Sequence, residues 1–190
     1  HVCSPSAWCF RSAATRLRKG NGGDPVRVLF AGGGTSGHLA PCLAVAQALK
    51  AKHPDAEAAF VVSRRPGEAQ MVRNRGFDAF AITGSGMPYG CSIGAVTSLV
   101  HLGIGGFQAL GIIKRLQPDV VFATGGFISA AVVPAAKVRG CPAMIHASDV
   151  MPDRTNRFLS RWADRISTVS PQASDALEGA IVTGQPIRPE

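Results

Sequence analysis

Val26-Arg27-Val28-Leu29-Phe30-Ala31-Gly32-Gly33-Gly34-Thr35-Ser36-Gly37-His38-Leu39-Ala40-Pro41 is the stretch that decides the fold. An apolar run of strand length ends in three consecutive glycines, and beyond them Leu43, Val45, Ala46 and Leu49 recur at helical spacing as far as Lys52. Strand, tight turn and helix follow one another directly. The same punctuation repeats: strand-like runs at 58–62, 77–82, 120–123, 143–146, 165–169 and 180–182 alternate with helical patterns at 66–75, 94–116, 128–139, 155–163 and 171–177. Apolar strands joined by helical crossovers are what a parallel sheet needs when both of its faces are covered. The expected class is therefore α/β, a Rossmann-like parallel sheet with helices on both faces.

The chain has 190 residues, 46% apolar and 17% charged, enough to build one core without a disulfide or metal and too apolar to be mainly disordered. Its net charge of +8 is uneven, because Arg11, Arg16, Arg18 and Lys19 precede the first acid, Asp24. Residues 1–24 read as a flexible basic leader, closed by Gly20-Asn21-Gly22-Gly23, and residues 25–190 as the folded domain. The remaining +4 lacks the clustering of a nucleic-acid binder, and few aromatics are present for base stacking, so no nucleic-acid partner is expected. The bias does suit phosphate ligands or an anionic membrane surface. Cys3, Cys9, Cys42, Cys91 and Cys141 form no CxxC pair and no zinc-spaced cluster, which points to a reducing compartment and to no metal site.

In a sheet of this class ligands sit beyond the carboxyl ends of the strands, where helix N-termini present free N–H groups. Three turns occupy such places: Gly32 to His38, Thr124-Gly125-Gly126-Phe127-Ile128-Ser129, and His146-Ala147-Ser148-Asp149. Gly32, Gly34 and Gly37 satisfy G-x-G-x-x-G, but the acid that a nicotinamide cofactor wants about 20 residues on is replaced by Ser63-Arg64-Arg65. Arginine accommodates a 2′-phosphate, so an NADP-binding oxidoreductase stays open. A plain backbone role for the glycines stays open too, since a tight turn uses positive φ. Two glycine turns that each open a helix favour a diphosphate, with His38 among the amides as a candidate for a functional role. His146 is ambiguous between packing and function, and His53 and His101 read as surface or packing residues.

From Ile93 to Ile113 no residue is charged, and the run is long enough for the ~20 residues that a bilayer span needs. Gly94, Gly103, Gly105, Gly106 and Gly111 weaken it as a spanning helix, and removing it would break the strand–helix alternation. It is expected to be a partly exposed crossover helix that rests on a membrane surface, with Lys114 and Arg115 following.

Three segments taken together carry a family resemblance: Gly33 to Pro41 followed by Leu43-Ala44-Val45-Ala46, Gly125 to Ser129 after Pro118-Asp119-Val120-Val121, and Gly184-Gln185-Pro186-Ile187-Arg188. Over about residues 26 to 190 the chain resembles the MurG-like UDP-N-acetylglucosamine:undecaprenyl-diphospho-muramoylpentapeptide N-acetylglucosaminyltransferases, which have the GT-B fold and form part of glycosyltransferase family 28. The resemblance implies the first of two Rossmann-like halves, the one that binds the lipid-diphosphate acceptor, with a donor-binding half expected after Arg188. It implies an inverting transfer of GlcNAc from UDP-GlcNAc to the C4 hydroxyl of the undecaprenyl-diphosphate-linked sugar in lipid II synthesis. That reaction needs a base for the hydroxyl and stabilisation of the leaving UDP. His38 is the catalytic candidate. The binding candidates are Gly34, Thr35, Ser36 and Gly37 in the first turn, of which Thr35, Ser36 and Gly37 match the family's donor-contacting turn, then Gly125, Gly126, Phe127 and Ser129 in the second, and Asp149 and Arg188 toward the donor. The apolar stretch would dock the protein on the cytoplasmic face of the membrane. The alternative is a non-catalytic membrane-docking subunit of a split glycosyltransferase, which needs a separate donor-binding chain. Three departures stand out: Ser36 and Ala147 replace a glycine and a glutamate, and Asp149 replaces an asparagine, placing a carboxylate where like charge costs diphosphate affinity.

Overall fold

The computed structural model describes residues 25–84 and 93–187. The basic leader, Cys91 and Arg188 lie outside the described residues. Seven strands form one sheet: β1 (Arg27–Ala31), β2 (Glu57–Ser63), β3 (Asp78–Ile82), β4 (Val120–Ala123), β5 (Ala143–Ala147), β6 (Arg165–Thr168) and β7 (Ile181–Val182). Every neighbouring pair is parallel, in the order β3-β2-β1-β4-β5-β6-β7. The chain reverses its direction of travel across the sheet between β1 and β4, which makes the carboxyl ends of those two strands the crevice of the fold.

Strand β1 shows why its sequence is apolar at every position. Leu29 and Ala31 enter one buried cluster, while Val28 and Phe30 enter the other on the opposite face. The second cluster is stitched by aromatic contacts, with Phe30 stacked on Phe60 at 5.0 Å and Phe60 tilted against Phe77 at 5.3 Å. It is covered by α1 (Ser36–Lys52) and α2 (Glu68–Arg73). The first cluster lies under α3 (Ile93–Leu116), α4 (Gly126–Val138) and α5 (Arg154–Leu159). A last short helix, α6 (Pro171–Asp175), precedes β7.

Helix α1 starts three residues before its apolar periodicity does. Thr35, in extended conformation, takes the N-cap position and carries Gly37 and His38 into the first turn, so Pro41 falls inside the helix. Helix α5 ends at Leu159, four residues short of the sequence pattern, because the N–H groups of Trp162 and Ala163 both turn back to the Leu159 carbonyl. Asp164 then enters the sheet, its N–H donating to Ala143 O at 2.8 Å and its carboxylate accepting from Ala143 N at 3.0 Å.

Helix α3 is bound to the sheet along one face only. Ala109 and Ile113 are buried, Gln108 Oε1 accepts from Thr83 N at 2.7 Å, and Gly105 lies so close to the Thr83 carbonyl that a Cβ would collide with it. The other face leaves Val96, Leu99, Val100, Ile104 and Phe107 exposed. Its segment Val96–Leu116 is long and apolar enough to cross a membrane, yet here it forms a layer of the α/β domain. Cys42 and Cys141 are free and buried, and burial pushes their thiols up to about 12 and about 11.

Candidate active site

Two helix N-termini meet at the β1–β4 crevice because the strands that feed them are hydrogen-bonded neighbours, with Ala31 opposite Ala123. Thr35 caps α1 and Gly125 caps α4, neither residue supplies a side-chain cap, and neither first turn contains an acid. The positive dipole ends of both helices are thus left without a side-chain cap or an acid, an arrangement that suits an anion.

The two turns are locked to each other by a reciprocal pair. Thr124 Oγ1 donates to the His38 carbonyl at 2.6 Å, and His38 Nδ1 lies 3.1 Å from the Thr124 carbonyl. A carbonyl oxygen can only accept, so Nδ1 carries a proton, and in the neutral ring the lone pair is on Nε2. The Cδ2–Nε2 edge of the ring faces Gly126, which has a φ of +72° and where a Cβ would sit 2.8 Å from His38 Cδ2. Gly126 is glycine both for its backbone and for the imidazole seated against it.

The remaining candidates separate by placement. Thr35 and Gly37 are exposed, and a Cβ on Gly37 would meet only Thr35 Oγ1, at 3.7 Å. Ser36 opens α1. Phe127 is half-buried, its ring wedged between Gly34 and Gly84, where a Cβ on Gly84 would lie 2.5 Å from Phe127 Cδ2. Asp149 is exposed beyond the end of β5. Two expectations are corrected. Gly34 is buried beneath Phe127, its N–H donates to Glu68 Oε1 at 2.8 Å, and its carbonyl accepts from Arg65, so it shapes the turn and offers no free amide. Ser129 is wholly buried, its hydroxyl bonded to Gly125 O at 2.6 Å and Ala31 O at 3.1 Å, so it braces the turn from behind.

Around the third turn Ala147 packs in the apolar core, at the place where the resemblance expects a glutamate. His146 is buried, with Nδ1 2.9 Å from Ser167 Oγ and the ring stacked on Phe122 at 6.4 Å. Burial pulls its pKa below the ordinary 6.5, and the nearby Gln185 opposes this to a smaller degree. Its Nε2 has no partner within hydrogen-bond geometry among the described residues.

Sequence reasoning missed four contributors: Thr124, Glu68, Arg65 as a contact to the first turn, and Asn156. The last is fully buried on α5 with neither amide atom paired among the described residues, and it lies against Gly125, where a Cβ would come within 2.9 Å of Nδ2. Its signal was the short Asp153-Arg154-Thr155-Asn156 run, in which Asp153 caps the Asn156 N–H at 2.6 Å.

Residues 28–168 match the glycosyltransferase family 28 N-terminal domain. A relative from Desulforudis audaxviator (strain MP104C), named UDP-N-acetylglucosamine--N-acetylmuramyl-(pentapeptide) pyrophosphoryl-undecaprenol N-acetylglucosamine transferase, is 38% identical over 168 residues, which is 87% of this chain and 45% of the relative. The crystal structure of Acinetobacter baumannii MurG superposes with a TM-score of 0.71 at 23% identity, over 87% of this chain and 47% of that one. A UDP-GlcNAc 2-epimerase from Neisseria meningitidis bound to UDP-GlcNAc shares the fold, with a TM-score of 0.62 at 15% identity over 84% of this chain and 46% of that one. The chain spans about half the length of the curated relatives it matches. Because the matched region includes both glycine turns and the strands that bring them together, the chain belongs to glycosyltransferase family 28 through the N-terminal domain of that family.

Proposed function

We propose that this chain is the acceptor-binding half of an N-acetylglucosaminyltransferase that moves GlcNAc from UDP-GlcNAc onto a muramoyl sugar carried by undecaprenyl diphosphate, completing the lipid-linked peptidoglycan precursor. The supporting observation is the pair of acid-free, side-chain-uncapped helix N-termini tied together through His38 and Thr124. The acceptor diphosphate lies between the turns, in the field of both dipoles. His38 Nε2 takes the proton of the attacking hydroxyl as its oxygen bonds to the anomeric carbon of GlcNAc and the bond from that carbon to UDP breaks, with inversion. The Thr124 carbonyl, holding Nδ1–H, steadies the imidazolium that results. The donor-binding half, in this chain's protein or in a separate chain, stabilises the leaving UDP, and by the resemblance Asp149 and Arg188 are donor-side binding residues.

The exposed apolar face of α3 continues through Val138 and Trp162, with Lys114, Arg115, Arg157 and Arg161 exposed nearby. This combination suits docking on the anionic cytoplasmic face of the membrane, where the lipid-linked acceptor resides.

Calorimetric titration with a water-soluble geranyl-diphospho-muramoyl sugar tests the reading. Gly37→Val places a side chain in open space at the first turn, so it is expected to leave the fold intact and abolish binding. Binding equal to the parent's would overturn the site.

A further inference from the structure

The Ser63-Arg64-Arg65 segment at the carboxyl end of β2 has no part in the reaction described above, and its second arginine reaches the crevice. The Arg65 guanidinium donates to the Gly34 carbonyl of the first turn and lies 5.8 Å above the Phe127 ring of the second. One cation thus touches both turns. Its place is prepared by Glu68, which accepts from Gly34 N at 2.8 Å, Ser63 N at 3.0 Å and Ser63 Oγ at 2.7 Å. The Ser63 hydroxyl also accepts from Arg65 N at 3.2 Å. The glutamate is therefore occupied with neutral donors, and among the described residues no carboxylate pairs with Arg65. A guanidinium has five N–H donors, and the Gly34 carbonyl engages a single nitrogen.

We propose that Arg65 is a further substrate-binding residue, which directs its free donors to the diphosphate held between the two turns, and that Glu68 is a positioning residue that fixes the first turn and the β2 end beneath it. The proposal rests on the acceptor-diphosphate reading above. It adds a countercharge which the two helix N-termini, as dipoles, do not supply.

The test titrates the geranyl-diphospho-muramoyl sugar into the parent chain, Arg65→Met, Arg65→Lys and Gly37→Val at several salt concentrations, with the melting temperature of each recorded. Methionine keeps an apolar stem over Phe127 and removes the charge. Arg65→Met is expected to weaken binding by about 10- to 100-fold and to flatten the dependence on salt. Arg65→Lys is expected to recover the salt dependence but only part of the affinity, because an ammonium lacks the planar fork. Parent-like binding by Arg65→Met, while Gly37→Val has lost it, overturns the role of Arg65 and leaves the acceptor reading standing. Weakened binding with an unchanged salt dependence and no recovery in Arg65→Lys overturns it as well, showing a staple of the turns instead of a phosphate ligand. If Gly37→Val and Arg65→Met both bind as the parent does, or the parent does not bind, the acceptor reading falls and the proposal with it.

Discussion

Gly37 and Gly126 look interchangeable as probes of a phosphate turn, but the structure separates them. A side chain at Gly126 meets His38 Cδ2 at 2.8 Å and Gly33 O at 3.2 Å from a residue with φ of +72°, so Gly126→Val would disturb the candidate base and strain the backbone while it blocks a ligand. Gly37 has open space instead, and its valine variant is the cleaner probe. His146 supports a prediction of another kind. Burial lowers its pKa in the folded state, so between that lowered value and the ordinary 6.5 the unfolded chain binds the proton and the native chain does not. Stability contributed by the neutral ring is complete above about pH 6.5 and declines as the pH falls through that window. Melting curves at pH 7.5, 6.5 and 5.5 are expected to show a smaller acid-side drop in Tm for His146→Gln than for the parent. Parallel curves would assign the drop to other groups.

At the scale of elements, α3 divides between two environments. Leu102 is partly buried and packed against the core, whereas Leu99, Val100 and Phe107 are 58%, 54% and 79% exposed. Replacing Leu99, Val100 and Phe107 with serine is therefore expected to abolish sedimentation with vesicles rich in anionic lipid while leaving Tm within a few degrees of the parent. Binding by the parent is expected to be weak and to fade with added salt, as one apolar patch with a few cations gives marginal anchoring. Unchanged sedimentation of the triple variant would move membrane binding to another part of the chain. Gly105, by contrast, belongs to the inner face, where it lets α3 approach the Thr83 carbonyl.

On the scale of the molecule, a single seven-stranded sheet carries both turns, the candidate base and the apolar face, while the chain covers 45% of the length of its relative from Desulforudis audaxviator. A GT-B reaction encloses the donor between two halves, so the 190-residue chain by itself is expected not to release UDP from UDP-GlcNAc in the presence of acceptor. Turnover by the purified chain, followed as UDP release, would contradict that division of labour.

The alternation of strands and helices, the strand at 120–123 to the residue, and the two glycine turns were legible in the sequence because each depends on neighbours along the chain. Apolar periodicity and glycine placement are local properties. What only the tertiary structure decided is which of these residues touch. The His38–Thr124 pair joins positions 86 residues apart, and the Gly34–Glu68 bond joins positions 34 apart. Phe127 covers Gly34, and Asn156 lies behind Gly125, for the same reason. These contacts follow from the strand order β2-β1-β4-β5, which sets the carboxyl ends side by side. Local pattern carries no record of that order, so Gly34 and Ser129 read as ligand contacts in the sequence and are supports of the turns in the fold.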